Sequence, residues 1–228
     1  MKPGGRRIIA NPNCSTIQLV VVLKPLHDAA GLSKVIVSTY QSVSGAGQKG
    51  IDELETQARA LFSMGEVTPQ KFPHRIAFNL LPEIGKDSGN GYTEEEMKMV
   101  NETRKIMGLP GLPVSATCVR VPVFYCHSEA ANLFFQKPLA PDEARRILRK
   151  APGVKVVDDL KEHIYPMPLL GAGDDDTLVG RIRVDLTVPN GLALFVVSDN
   201  LRKGAATNAV QIAQLLVNEY ADKLSARA

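Results

Sequence analysis

Apolar positions along the chain fall into two spacings, about 3.6 and 2 residues, and these spacings predict its elements. Arg7 to Ala10 reads as a short strand running into the polar turn Asn11-Pro12-Asn13, and a helix is predicted from Ser15 to about Ala29, ending near Gly31. Lys34 to Thr39 is β-branched and fits a strand, and Ile51 to Met64 has helical spacing. Residues 65–92 are rich in Pro, Gly and Asp, with one apolar piece at Ile76 to Leu81, and read as a surface excursion or a partner-facing segment. Thr93 to Met107 is predicted helical because Thr93 and Glu96 form a capping box and Gly108 supplies a stop. Val114 to Tyr125 and Ala130 to Gln136 read as extended, and Pro141 to Lys150 as a short helix. Asp185 to Val188 and Leu192 to Ser198 flank Pro189-Asn190-Gly191, a hairpin signal, and a last helix is predicted over 205–224. This order of elements predicts an α+β fold with a mixed, mostly antiparallel sheet and helices packed on one face.

Composition narrows the function classes. The 228 residues, 44% hydrophobic and 22% charged, suffice for a folded core, in one large domain or two small ones. No apolar run approaches the roughly 18 residues of a membrane span. The opening Met-Lys-Pro-Gly-Gly-Arg-Arg lacks the apolar stretch of a secretory leader, so the expected location is cytoplasmic. A net charge of +3, 5% aromatics and no Trp leave little for binding nucleic acid. Cys14, Cys118 and Cys126 are spaced for neither a disulfide framework nor a zinc site, and no metal is expected.

Cys14 stands between the polar turn and the first helix, where backbone N–H groups would favour a thiolate and lower its pKa. As a nucleophile it would need a base; as a small buried hydrophobe it would need nothing. Cys118 and Cys126 fall in apolar strands and read as inert. Of the four histidines, His27 lies on a helix, His74 in a loop and His163 after a charged stretch, while His127 ends a strand where it could face a cleft. Gly45-Ala46-Gly47-Gln48-Lys49-Gly50 matches a dinucleotide fingerprint, but no second parallel strand closes a βαβ unit. A glycine loop that lets backbone approach a ligand is the better reading. Glu94, Lys98 and Glu102 recur at i, i+4 with Glu95 beside them, as a solvated ion-paired face or as a site in which Glu95 and Lys98 meet an amino group and a phosphate.

The run Asn11-Pro12-Asn13-Cys14-Ser15-Thr16-Ile17-Gln18 and the run Ser38 to Gly47 strongly resemble aspartate-β-semialdehyde dehydrogenases. The segments Glu95-Glu96-Met97-Lys98, Glu102 to Ile106, Arg120 to Ala130 and Ser198 to Ala206 agree as well, in order, across essentially the whole chain. The resemblance implies the catalytic domain of a glyceraldehyde-3-phosphate-dehydrogenase-like enzyme. The implied reaction is NADP-dependent reductive dephosphorylation of L-aspartyl-4-phosphate to L-aspartate-4-semialdehyde. It belongs to amino-acid biosynthesis (lysine, threonine, methionine and diaminopimelate). Cys14 would be the nucleophile that carries a thioacyl intermediate, His127 the acid/base, and Gln41 would orient the substrate. Arg120 would hold the substrate carboxylate, Glu95 its amino group and Lys98 the phosphate, while Ser44, Gly45 and Asn200 would touch NADP. The partner implied is a second copy, in a homodimer. The family's Rossmann domain has no counterpart here, so residues 1–204 would be the catalytic and dimerisation domain and 205–228 a helix that normally packs on the coenzyme domain. Without that domain the chain is expected to be inactive. A non-catalytic dimerisation module and an N-acetyl-glutamyl-phosphate reductase stay open as alternatives.

Overall fold

The computed structural model describes residues 8–225. Six strands form one sheet in the order β2-β1-β3-β6-β5-β4: β1 (Leu32–Gln41), β2 (Val114–Arg120), β3 (His127–Phe135), β4 (Val154–Val156), β5 (Thr177–Val184) and β6 (Gly191–Ser198). The pairs β1–β3, β3–β6 and β5–β6 are antiparallel, while β1–β2 and β4–β5 are parallel, so the sheet is mixed and mostly antiparallel as its sequence predicts.

Three helices cover one face: α1 (Cys14–Ala30), α3 (Glu94–Met107) and α4 (Pro141–Leu148). Against them pack the inward positions of the strands, including Val35, Val37, Leu133, Leu192, Leu194 and Val196, all at most 2% exposed. The alternation along β1, with Val35, Val37, Thr39 and Gln41 buried and Ile36 and Tyr40 exposed, sets which side chains face α1 and which face outward. On the outward face a single turn, α5 (Pro168–Gly171), covers a smaller cluster of Cys126, Leu178 and Val197. Helix α2 (Gln48–Phe62) stands off one end and packs its Leu54 against Val43, Ile76 and Leu81. The irregular stretch expected over 65–92 has no helix or long strand, and its apolar piece at Ile76 and Ala77 is anchored by Gln57 Oε1, which accepts both backbone N–H groups.

Several boundaries differ from expectation. Ile8 to Ala10 form no strand, and Arg7 and the basic opening lie outside the described residues. The strand beginning at Val114 stops at Arg120, where Pro122 breaks the ladder, and the next begins at His127. His127 therefore opens a strand instead of ending one, and Cys126 lies between strands with φ 70°. Asp185 to Val188 is a loop because the Asp185 carboxylate accepts from the Thr187 N–H and hydroxyl, which competes with a strand ladder. The hairpin partner of β6 is β5, ending at Val184. The last helix, α6, runs Thr207–Ser225 and is preceded by a π-helical turn at Arg202–Ala206.

Candidate active site

The site grows from the start of α1. Asn13 caps the helix: its carboxamide oxygen accepts from Ser15 N (3.1 Å) and Thr16 N (3.2 Å). Two carboxylates of α3 hold Asn13 in turn, since its amide donates to Glu95 Oε1 (2.8 Å) and its backbone N–H to Glu102 Oε2 (2.7 Å). Cys14 is the first residue beyond this clamp and is half-buried. Burial, with the Glu95 charge behind it, pushes its thiol up to about 11, outweighing the hydrogen bonds from Ser15 and the Arg120 charge that pull it down. This overturns the lowered pKa expected of a helix start. Desolvation of the thiolate exceeds the pull of a few backbone dipoles.

Glu95 also reaches β1 and, within its own helix, Lys98. Its Oε1 also accepts from Gln41 Nε2 (3.0 Å), and the Gln41 oxygen accepts from Thr39 Oγ1 (3.0 Å), which fixes the amide orientation. Its Oε2 faces Lys98 Nζ at 3.5 Å, with the Lys98 side chain half exposed. Gln41 and Arg120 are paired neighbours at the ends of β1 and β2. The Arg120 guanidinium is buried and donates from Nη1 to Ser42 O (2.8 Å). Burial lowers its pKa and the Glu95 charge opposes this, so it remains a cation.

His127 is fully buried beside this cation. Its Nδ1 accepts the backbone N–H of Ser42 (3.1 Å), which places the proton of the neutral ring on Nε2. Burial first, then the Arg120 charge, depresses its pKa to about 3, so the ring is neutral near pH 7. Gly45 lies directly over both groups. A Cβ there would fall 2.8 Å from Arg120 Nη1 and 3.0 Å from His127 Nε2, so only glycine lets this backbone approach.

Ser44 and Asn200 are also at the site but turn inward. Asn200 Oδ1 accepts from Ser42 Oγ, Ser44 Oγ and Cys126 N at 3.0 to 3.1 Å, and Asn200 Nδ2 donates back to Ser44 Oγ. Both residues are at most 3% exposed. Gly45 is therefore the one of the three cofactor candidates whose exposed surface is backbone, and the other two support it from beneath.

The structure thus brings Cys14, Gln41, Gly45, Glu95, Lys98, Arg120, His127 and Asn200 into one linked region. It leaves the side chains of the other cysteines and histidines outside it. His27 caps α1 by accepting the Leu32 N–H on Nδ1, His74 and His163 are exposed in loops, and Cys118 and Cys126 are buried with thiols pushed up to about 12. The glycine fingerprint opens no dinucleotide fold: Gly47 turns the chain at φ 81°, and Gly50 approaches Val43 O so closely that a Cβ would lie 2.5 Å from it. Sequence reasoning gave no role to Asn13, Glu102 or Ser42, although Asn before a helical run is an N-cap signal. It also missed Glu129, two residues past His127 on the same face of β3, fully buried with its pKa raised well above the usual carboxylate range by burial, against Gln18. An apolar cavity of about 370 Å³, lined by Tyr40, Tyr165, Met167 and Phe195 among others, lies on the outward face of the sheet, away from Cys14. Among the described residues no cluster of His, Cys, Asp and Glu could hold a metal, and no helix is long and apolar enough to cross a membrane.

The domain is α+β, with a cysteine at a capped helix start and a buried Arg and His on the adjoining strand ends. The family described as the semialdehyde dehydrogenase dimerisation domain matches residues 23–203, and the chain belongs to it. It is 57% identical over 214 residues to an aspartate-semialdehyde dehydrogenase of Aquifex aeolicus, covering 93% of this chain and 63% of the relative. The structure of aspartate semialdehyde dehydrogenase II complexed with ASA, from Vibrio cholerae, superposes with TM-score 0.91 at 48% identity, covering 94% of this chain and 63% of that one. That of the Candida albicans enzyme with NADP gives TM-score 0.68 at 27% identity, covering 94% and 59%. The chain therefore spans a little under two thirds of the length of these relatives.

Proposed function

We propose that this chain carries the chemical half of an NADP-dependent aspartate-semialdehyde dehydrogenase, an oxidoreductase of amino-acid biosynthesis, acting on L-aspartyl-4-phosphate. The observation that carries the reading is Glu95. One carboxylate ties the cap of the Cys14 helix, the Gln41 amide and Lys98 into one geometry, joining residues far apart in sequence. In this reading Cys14 Sγ attacks the acyl carbon, the departing phosphate leaves toward Lys98 and carries off the thiol proton, and a thioacyl group remains on Cys14. Gln41 and the Nε2–H of His127 meet the carbonyl oxygen, and Arg120 pairs with the substrate α-carboxylate. Glu95 Oε2, the oxygen not spent on Asn13 and Gln41, faces the substrate amino group.

In this reading the exposed backbone at Gly45 is where the chain would touch the cofactor, and its lack of a side chain lets it lie against Arg120 and His127. NADPH, when bound, supplies the hydride that reduces the thioester. Helix α6 exposes Val210, Leu215 and Val217, an apolar set suited to packing on a coenzyme domain. The family's description as a dimerisation domain supports a homodimer. The outward sheet face, with Ile36 and Tyr40 exposed, is the surface we assign to it.

The test joins this chain to a coenzyme-binding domain from a relative and follows NADPH formation from aspartate semialdehyde, phosphate and NADP. Turnover that falls about a thousandfold or more in Cys14→Ala is expected. Equal turnover of N-acetyl-glutamate semialdehyde, or none with either substrate, would replace the reading with one of its alternatives.

A further inference from the structure

The π-helical turn ahead of α6 and the three residues before it touch both halves of the chemistry. At one end, Gly204 packs on the nucleophile: a Cβ there would lie 3.0 Å from Cys14 Cβ and 3.5 Å from Cys14 Cα. Beside it, Ala205 O accepts from Asn11 Nδ2 (3.3 Å) and Asn208 Nδ2 donates to Asn11 Oδ1 (2.8 Å), so the stretch leading into Cys14 is bound to the same turn. At the other end, Asn200 Oδ1 takes the hydroxyl of Ser42, whose backbone N–H fixes His127 Nδ1. The same oxygen takes the N–H of Cys126, the left-handed residue that precedes His127. Asp199 stiffens the span between the two ends. Its carboxylate accepts from Leu201 N, Arg202 N and Gly173 N, and its backbone oxygen accepts from Gly204 N (3.0 Å). The buried Lys203 anchors the turn to α6 through Gln211 Oε1 (2.6 Å) and Asn208 Oδ1 (3.4 Å). Gly204 lies within the π winding and Asn200 two residues ahead of it, and the two face different neighbours. Such turns recur at functional sites because they re-aim backbone at a cost the rest of the fold must carry.

We propose that Asp199 to Gly204 is a positioning element that holds Cys14 and His127 in register, with Gly204 setting the thiol and Asn200 setting the imidazole. The inference rests on the reading of Cys14 as nucleophile and of the His127 Nε2–H as a donor to the carbonyl oxygen. It gives Asn200 a positioning role exerted through Ser42 and Cys126.

The experiment uses this chain and reads geometry in place of turnover, so that loss of the catalytic reading (an active Cys14→Ala enzyme) is a separate outcome. Iodoacetamide labelling of the three cysteines is mapped by mass spectrometry, with Cys118 as the internal control for folding. In Gly204→Ala the added methyl separates the turn from Cys14, and Cys14 should label about fivefold faster while Cys118 is unchanged. In Asn200→Ala, Cys14 labelling should stay within about twofold of the parent. There the ¹⁵N spectrum of His127 should change instead, from a single Nε2–H tautomer to a mixture. If Gly204→Ala does not fold, Lys203→Met loosens the turn without adding an atom at the contact, and Cys14 labelling should rise about threefold. Unchanged Cys14 labelling in both turn variants, Cys118 accelerating in step with Cys14, or a His127 tautomer indifferent to Asn200→Ala would each overturn the proposal.

Discussion

Two carboxylates in this fold tie distant segments together, and they do so differently. Asp158, its side chain 5% exposed, accepts from Arg145 Nε (2.7 Å), Arg181 N (2.7 Å) and Ile182 N (3.1 Å), at the point where β5 slips register between Gly180 and Arg183. Both of its oxygens are committed to fixed donors, and Arg181 with φ 54° is held by them. Glu95 is almost as buried, at 9%, but commits one oxygen to the Asn13 and Gln41 amides and leaves the other to Lys98 at 3.5 Å, half exposed and free to move. The first arrangement is saturated and holds a bulge. The second retains acceptor capacity and a movable cation, which is what a site needs if a ligand is to enter.

The contrast breaks most visibly at Asp158. Asp158→Ala leaves two backbone N–H groups and part of the Arg145 charge without a partner. The expected loss is about 3 kcal/mol in urea unfolding, with no change in Cys14 labelling. A loss below about 1 kcal/mol would mean the bulge holds itself. Glu95→Gln should destabilise less, about 1 kcal/mol, because an amide still offers an oxygen to Asn13. Its signature is elsewhere. Glu95 is one of the groups raising the Cys14 thiol, so removing its charge lowers that pKa from about 11. The thiolate fraction at a given pH below 11 therefore increases, and the pH profile of Cys14 alkylation should move to lower pH. A profile that stays in place would show the carboxylate is too well screened to matter. Smallest is Lys98→Ala, whose half-exposed pair should contribute under about 0.5 kcal/mol to stability. In the chain joined to a coenzyme domain, the same change should raise the KM for phosphate about tenfold while leaving the KM for NADP alone.

How much of this could be read from the chain follows the range of the interactions. Helix α3 was legible at both ends because its capping box, Thr93 with Glu96, and its αL stop at Gly108 are local. Cys14 was legible as a helix-start residue for the same reason, but its acidity was not. The groups that bury it and the Glu95 charge come from other parts of the chain. Strand β5 escaped notice because Gly180, Arg181 and Arg183 interrupt its apolar run, and what rescues it is Asp158, supplied from outside the strand. The face of α3 bearing Glu94, Lys98 and Glu102 reads locally as a solvated surface. Only the fold reveals that Glu102 receives the Asn13 N–H across 89 positions.

Strand order carries a consequence for how the chain reaches this state. β5 and β6 are neighbours in sequence as well as in the sheet, whereas β1 waits for β2 and β3, beyond the whole stretch from Ser42 to Pro113. Closing such long loops costs chain entropy before any contact offsets it, and folding rates fall as pairings become less local. Gln41 and Arg120 meet only when the β1–β2 ladder closes, and His127 meets Ser42 only when β3 has docked. Recovery of the site from denaturant is therefore expected to keep pace with closure of the β1–β2 and β1–β3 ladders, and not with the local hairpin of β5 and β6.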